Sequence, residues 1–250
     1  MIRGVIFDLG RTLIYFNGDW NEVFERSLKA LKDYLIAKDY GIDEGEFINA
    51  FRKELEVSRM ERYLDNVERP TADLFRDVMT RFGYNHLTEH DVEQAMETLY
   101  AVSEEHWIPI SGSDRIVRNL KEEGFLTGLI SNAGDERNVS RLMDKANLGG
   151  LFDPILVSAS VGIRKPAMEL FKKVLGEWEL SPEEVVMVGD SLGEDIRGAR
   201  DAGIHQIWMK SYVDPDTFTS SMESIIPEMV AENIEEVPQL IESIGSTKFG

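Results

Sequence analysis

Apolar residues in the first part of the chain recur at helical spacing. Between Asp19 and about Trp107 they return every three to four residues, which places them on one face of a helix. The predicted helices begin near Asp19, Asp43, Thr71 and Thr88. Glu46 and Asp91 follow two of these N-caps by three residues, as in a capping box. Four amphipathic helices in succession predict a bundle, whose core is expected to contain the aromatic residues Trp20, Phe24, Phe47, Phe51, Phe75 and Phe82.

From residue 113 onward the pattern changes to short apolar runs that alternate with helical segments. The predicted strands are residues 3–7, 126–130, 155–157, 185–188 and 206–209. Strands that alternate with helices favour a parallel sheet covered on both faces. We therefore predict a Rossmann-like α/β core built from residues 1–16 and 109–250. A helical-bundle cap domain, residues 17–108, is predicted to interrupt this core.

Composition and charge exclude several classes of protein. The 27 basic and 46 acidic residues give a net charge of −19, which disfavours binding to nucleic acid or to anionic membranes. No apolar run approaches the roughly 18 residues of a membrane-spanning helix. The absence of cysteine excludes disulfides and thiolate metal sites. Because a hydrophobic strand begins at once after Met1, we expect no signal peptide and a cytoplasmic protein.

Polar residues follow the predicted strands at the points where ligands bind in open α/β sheets. Asp8 follows the first strand, Ser131 the second and Asp190 the fourth, while Lys165 and Asp195 lie in nearby loops. Carboxylates bind Mg²⁺ through oxygen, and a lysine and a hydroxyl group bind phosphate oxygens. This combination predicts a magnesium and phosphate site with Asp8 placed as a nucleophile.

Four segments that carry these residues resemble the haloacid dehalogenase superfamily of hydrolases. The segments are residues 7–13, 130–132, 165–166 and 189–195, in the order typical of that superfamily. The matching core covers about two thirds of the chain. The predicted helical insert resembles the cap of that superfamily, which closes over the site and selects the substrate.

The resemblance implies a role for each matching position. Asp8 would be the nucleophile and a Mg²⁺ ligand, Asp190 and Asp195 would be further metal partners, and Lys165 would be catalytic and bind phosphate. The remaining candidates are Gly10, which would offer its carbonyl group to the metal, and the substrate-binding residues Ser131, Asn132 and Arg11. The implied partner is a small phosphorylated molecule, and the chain is expected to be a monomer or a homodimer.

One position departs from the pattern of the superfamily. Its phosphatases usually carry a second Asp two residues after the nucleophile, which protonates the leaving group, and this chain has Gly10 there. A positioned proton donor typically contributes about 10²–10⁴ in rate. Arg11, which follows, cannot donate a proton at pH 7. Activity is therefore expected on phosphates with good leaving groups, such as acyl, aryl or glycosyl phosphates, unless a residue of the cap replaces the missing acid.

Two alternatives to a phosphatase remain open at this stage. The 2-haloacid dehalogenases of the same superfamily also use the Asp nucleophile and also lack the second Asp. They use no metal, however, whereas Asp190 and Asp195 suit magnesium. The other alternative is a protein of weak activity that binds a phosphorylated ligand or a partner through its cap.

Overall fold

Parallel strands form the central sheet of the structure. The computed structural model describes residues 1–212 and 225–246. The strands are β1 (Gly4–Phe7), β2 (Ile14–Phe16), β3 (Trp107–Pro109), β4 (Leu126–Ser131), β5 (Ile155–Val157), β6 (Val185–Gly189), β7 (His205–Met209) and β8 (Met229–Ala231). Six of them form a sheet in the order β5-β4-β1-β6-β7-β8, with every neighbouring pair parallel. The prediction of a parallel α/β sheet is confirmed.

Helices cover both faces of this sheet. The helices are α1 (Trp20–Lys38), α2 (Glu44–Asp65), α3 (Thr71–Arg81), α4 (Glu89–His106), α5 (Ser113–Glu122), α6 (Glu136–Lys145), α7 (Ser158–Val161), α8 (Met168–Trp178), α9 (Arg197–Asp201) and α10 (Val237–Ser246). Val5 and Phe7 of β1 pack in the hydrophobic cluster that includes α5, α6 and α10. Ile6 points to the other face and joins the cluster with α8 and α9. Because successive side chains of a strand alternate between faces, β1 is apolar throughout.

The four helices α1 to α4 form the predicted inserted bundle. Their shared core is a separate hydrophobic cluster, in which the rings of Phe47, Phe51 and Phe75 meet at centroid distances of 5.6–6.0 Å. Side chains cap three of the helices. Asp19 and Asp43 each accept a backbone hydrogen bond in the first turn, and Thr88 and Asp91 form a reciprocal capping box.

The two segments that connect the sheet to the inserted helices pair with each other as one antiparallel ribbon. It consists of β2 and β3, and it pairs Ile14 with Pro109 and Phe16 with Trp107. The hydrophobic pattern did not indicate these strands, because three residues are too few to show a period. The ribbon contains the positions at which the sequence analysis places the ends of the insert. The division into 1–16 and 109–250 against 17–108 stays a prediction.

Several local predictions need correction. Trp20 is 50% exposed and packs against Phe16 of the ribbon, because it opens α1 beyond the end of the bundle core. Thr71 is the first residue of α3 and does not cap it. The sequence pattern predicts an ordinary helix over residues 194–202, but the structure begins this helical stretch with a π-helical turn at Leu192–Ile196 that leads into α9. Strand β8 at the sheet edge was also missed.

No helix among residues 1–212 and 225–246 is both long and apolar enough to cross a bilayer.

The packing of the bundle core generates a stability prediction. Phe75→Ala removes a fully buried ring that contacts two other phenylalanines, so the free energy of unfolding is expected to fall by about 3–5 kcal/mol. Met60→Ala is the control, because Met60 lies on α2 with 72% of its surface exposed and should change stability by less than about 0.5 kcal/mol. Urea denaturation of both variants measures the difference. Equal losses would contradict the assignment of the core.

Candidate active site

The candidate site lies at the carboxyl ends of three adjacent strands of the sheet, β4, β1 and β6. Asp8 directly follows β1, Ser131 ends β4 and Asp190 directly follows β6. Because β1 pairs with β4 on one side and with β6 on the other, these residues share one edge of the sheet. The backbone N–H of Asp8 donates to the carbonyl oxygen of Val188 at 2.9 Å, which extends the pairing of β1 with β6 to Asp8.

Three carboxylates converge at this edge. Asp8, Asp190 and Asp195 each offer an oxygen, and these three oxygens lie within 4.8 Å of one another. Asp195 comes from the π-helical turn after β6, where the backbone N–H of Ser191 donates to its Oδ2 at 2.9 Å. A Cβ atom at Gly189 would lie 2.4 Å from the carboxyl carbon of Asp195. Only glycine at the end of β6 therefore lets this carboxylate reach the site.

Lys165 places its ammonium group between two of the carboxylates. Its Nζ lies 2.6 Å from Oδ1 of Asp8 and 2.7 Å from Oδ1 of Asp195, and it donates to the carbonyl oxygen of Ile130 at 2.7 Å. The side chain is only 1% exposed. Asn132 fixes the backbone of the lysine from both sides. Its Nδ2 donates to the Lys165 carbonyl at 3.0 Å, and its Oδ1 accepts from the Lys165 N–H at 2.9 Å.

Three carboxylates share one lysine at this site, and burial and crowding oppose their ionisation. Burial, reinforced by the carboxylates of Asp8 and Asp195, raises the pKa of Asp190 well above its ordinary value, and Arg11 offsets only part of this effect. Burial also raises the pKa of Asp195 from 3.8 to about 7 although Lys165 opposes the shift. Burial alone would lower the pKa of Lys165, but Asp195 and Asp8 together raise it above its usual range. One ammonium group does not compensate three carboxylates, and the oxygen-only donor set suits a hard divalent cation.

The remaining predicted residues border this cluster. Ser131 is buried at the end of β4. Arg11 adopts a left-handed backbone conformation with φ 61°, and its positive charge acts on Asp190. At Gly10 an added Cβ would lie 3.4 Å from the indole ring of Trp107, an ordinary contact distance. The structure thus brings Asp8, Asp190, Asp195 and Lys165 into one cluster, with Asn132 bonded to the lysine backbone and the charge of Arg11 acting on Asp190. The roles predicted for Ser131 and Gly10 stay predictions, and Trp107 of the ribbon lies next to Gly10.

Asp135 is the N-cap of α6, a position at which Asp is one of the preferred residues. Its side chain accepts from the backbone N–H of Asn138 at 2.6 Å.

A cavity of about 330 Å³ lies beside the start of α6, between the bundle and the core, and its lining includes Met96, Arg137 and Ser160. Asp8, Asp190 and Asp195 are not among the residues that line it. In the carboxylate cluster Asp8 and Asp195 are buried, whereas Asp190 is half-buried.

Two charged residues at this site were not assigned a role from the sequence. Glu68, in the loop between α2 and α3, and Arg164, which precedes Lys165, are both about 95% buried where the bundle meets the core. The neighbouring lysine is a signal that could have drawn attention to Arg164. Nothing in the local sequence distinguishes Glu68 from a solvated loop residue, because its burial comes from contacts with distant parts of the chain.

Comparisons with known proteins bear on this geometry. A family model described as haloacid dehalogenase-like hydrolase matches residues 5–209. A glyceraldehyde 3-phosphate phosphatase of Pyrococcus furiosus is 30% identical over 135 residues, 53% of each chain. A phosphoserine phosphatase of Thermus thermophilus is 30% identical over 50% of this chain and 48% of its own. The chain thus spans about half the length of these two curated relatives. A glyceraldehyde 3-phosphate phosphatase of Methanocaldococcus jannaschii is 27% identical over 82% of this chain and 83% of its own.

Solved structures share the fold over nearly the whole chain. A 2-haloacid dehalogenase of Pseudomonas syringae pv. Tomato superposes with a TM-score of 0.66, at 20% identity, over 97% of this chain and 99% of its own. The magnesium-bound HAD-hydrolase YfnB of Bacillus subtilis gives a TM-score of 0.58, also at 20% identity, over 96% and 99%. At these identities the likeness establishes the fold alone. The family match covers most of the chain and includes all four site segments in full, so the chain belongs to the haloacid dehalogenase-like hydrolases.

Proposed function

We propose that this protein is a Mg²⁺-dependent phosphatase that acts on a small phosphorylated metabolite through an aspartyl-phosphate at Asp8. The observation that carries the proposal is the buried cluster of three carboxylates around Lys165 at the strand ends. Its excess negative charge fits a divalent cation and, with that cation, a phosphoryl group. Two relatives named as phosphatases of glyceraldehyde 3-phosphate and phosphoserine support the same reaction class.

The residues that would hold Mg²⁺ are Asp8, Asp190, Asp195 and the backbone carbonyl of Gly10. The bound ion would neutralise charge on the phosphoryl oxygens. The magnesium-bound form of YfnB, which has the same fold, supports this choice of metal. A metal at this position would also relieve the repulsion that raises the pKa of Asp190 and Asp195.

The side chains then have distinct tasks in the reaction. A carboxylate oxygen of Asp8 attacks phosphorus, the bond from phosphorus to the leaving oxygen breaks, and water later hydrolyses the aspartyl-phosphate to release inorganic phosphate. Lys165 holds Oδ1 of Asp8 at 2.6 Å, which leaves the second oxygen for the attack. Its positive charge and the hydroxyl group of Ser131 would bind the phosphoryl oxygens. Asn132 serves by holding the lysine backbone in place.

The absence of a carboxyl group at Gly10 sets the range of substrates. Without a proton donor there, an alkoxide would have to leave unprotonated, whereas acyl, aryl and glycosyl phosphates have leaving groups that need less help. Trp107 faces this position and offers an indole ring in place of an acid. Phosphates with good leaving groups are therefore the proposed substrates.

The alternative function, a 2-haloacid dehalogenase, is suggested by Gly10, because those enzymes also lack an Asp at this position. A dehalogenase would use Asp8 to displace a halide, and it would have no need for the metal that the carboxylate cluster suits. Two additional carboxylates beside Asp8, the half-buried Asp190 and the buried Asp195, favour the phosphatase. The proposed substrate assay includes a 2-haloacid so that the two reactions are measured together.

The first prediction from the proposed function concerns the reaction itself. Phosphate release from acetyl phosphate, p-nitrophenyl phosphate, glucose 1-phosphate and glycerol phosphate is expected to depend on Mg²⁺ and to be fastest for acyl and aryl phosphates. Asp8→Asn should abolish release, because an amide is a poor nucleophile. Halide release from 2-chloropropionate that is independent of Mg²⁺, without phosphate release, would instead establish the dehalogenase. Absence of both activities would favour the binding protein.

The second prediction concerns the missing acid. Gly10→Asp is expected to fit, since its Cβ would contact Trp107 at an ordinary distance. It should raise kcat for alkyl phosphates by about 10²-fold or more while changing aryl phosphate hydrolysis little. Gly10→Asn is the matched control, because it has the same shape without a dissociable proton. Equal rates for Gly10→Asp and Gly10→Asn would show that another group already supplies the proton.

The third prediction links pH to metal binding. The folded state raises the pKa of Asp195 above its ordinary value of 3.8, to about 7. Between these two values the unfolded chain has lost the proton that the folded protein still holds. The metal-free protein therefore becomes less stable as the pH rises through this interval. Mg²⁺ should add about 2.7 kcal/mol at pH 7.5 when present at 100 times its Kd, and less at pH 5. Thermal unfolding with Mg²⁺ or with EDTA measures the difference. Asp190→Asn should reduce both the loss of stability with pH and the gain from Mg²⁺; an unchanged gain would place the ion elsewhere.

A further inference from the structure

A buried carboxylate of the bundle reaches into the core beside the active site. Glu68 lies in the loop between α2 and α3, and its side chain is only 2% exposed. Ser158 Oγ donates to its Oε2 at 3.0 Å. Arg164 of the core lies 3.8 Å from the same oxygen, and Arg62 of α2 lies 3.4 Å from Oε1. Because a buried carboxylate is costly without partners, these contacts hold the loop against the core.

Backbone pairing joins the same two segments. The N–H of Glu68 donates to the carbonyl of Gly162, and the N–H of Arg164 donates to the carbonyl of Asn66, each at 3.0 Å. The residues between them form an antiparallel bridge. The core segment in this bridge leads directly into Lys165. The loop of the bundle is thus attached to the stretch of chain that carries the catalytic lysine.

Ser158 connects Glu68 to the phosphate-binding strand end. Its hydroxyl oxygen accepts from the backbone N–H of Ala133 at 2.9 Å. The hydroxyl group has one proton, and the carboxylate of Glu68 is a stronger acceptor for it than the Ala133 carbonyl at 3.1 Å. Ala133 follows Ser131 and Asn132, so the carboxylate of the bundle orients the hydroxyl that fixes this turn.

Arg164 extends the connection to the third carboxylate. Its Nη2 donates to Oε1 of Glu194 at 2.8 Å, and Glu194 precedes Asp195 in the π-helical turn. The guanidinium group is buried and lies between Glu68 and Glu194. The contacts of Glu68 therefore lead to three parts of the site: the end of β4, Lys165 and the turn that carries Asp195.

We propose that Glu68 is a positioning residue that makes the catalytic geometry depend on docking of the bundle. When the bundle leaves the core to admit substrate, Ser158 loses its acceptor and Arg164 loses a neighbouring carboxylate, and the turn after β4 and the segment before Lys165 are less constrained. When the bundle docks, both are fixed again and water is excluded. The kinetic part of this inference rests on the proposed phosphatase function.

Kinetics of matched variants test the proposal. Glu68→Ala is expected to lower kcat for the best aryl or acyl phosphate by about 10–100-fold at a temperature well below its Tm, because small displacements of catalytic groups cost that much. Glu68→Gln retains an oxygen acceptor for Ser158 and should recover part of the rate. Glu104→Ala is the control, since it removes another pair between bundle and core, with Arg141 at 2.7 Å, that does not lead to the site. Its kcat should equal that of the wild type.

A double-mutant cycle isolates the connection through Ser158. Ser158→Ala removes one hydroxyl group and should fold even if Glu68→Ala does not. If Glu68 acts through Ser158, the double variant loses much less rate than the product of the two single losses. Fully multiplicative losses, or wild-type kcat in Glu68→Ala, would overturn the proposal.

Amide hydrogen exchange gives a readout that needs no activity. The N–H groups of Ala133 and Lys165 should exchange faster in Glu68→Ala than in Glu104→Ala, because the bonds that protect them lose their support. Unchanged exchange at both amides would also overturn the inference. If the wild type releases no phosphate while exchange changes as expected, the proposed function fails and the positioning role stands.

Discussion

The buried ammonium group of Lys165 is the interaction on which the site depends. It lies between Asp8 and Asp195 at 2.6 and 2.7 Å, in a position where water does not screen their charges. Burying an ionised carboxylate costs several kcal/mol, and the attraction of the lysine offsets part of that cost for Asp8 and Asp195. Asn132 holds the backbone of the lysine on both sides. Since these groups come from separate strand ends, the network forms only after β1, β4 and β6 have paired.

The segment that leads into Lys165 also contacts the helical bundle. The bundle has its own hydrophobic core, and its chain crossings with the sheet run through the two short strands of one ribbon. Its contacts with the core near the site are polar and directional, notably those of Glu68 and Arg164. Polar contacts of this kind can form and break at less cost than a large apolar interface. The proposed docking of the bundle would therefore exchange polar contacts and leave the bundle's own core intact.

The position of Gly10 illustrates how one substitution changes what the same framework can catalyse. Its backbone retains the carbonyl group that a metal would use, while the missing side chain removes a proton donor. The indole of Trp107 lies where a Cβ at this position would make contact. Metal binding and acid catalysis are thus separable at this residue, since one depends on the main chain and the other on the side chain.

The sequence by itself determined the α/β class, the inserted helices and the residues of the carboxylate site. These features could be predicted because helical and strand periodicities are local, and because Asp8, Ser131 and Asp190 each follow a recognisable strand. Only the tertiary structure decided the ribbon of β2 and β3, the burial of Glu68 and the placement of Trp107 beside Gly10. Strands of three residues have no detectable period, and the contact of Glu68 with Ser158 spans 90 positions of the chain. The physical reason is that burial and pairing of such residues arise from packing between distant segments, which no local pattern encodes.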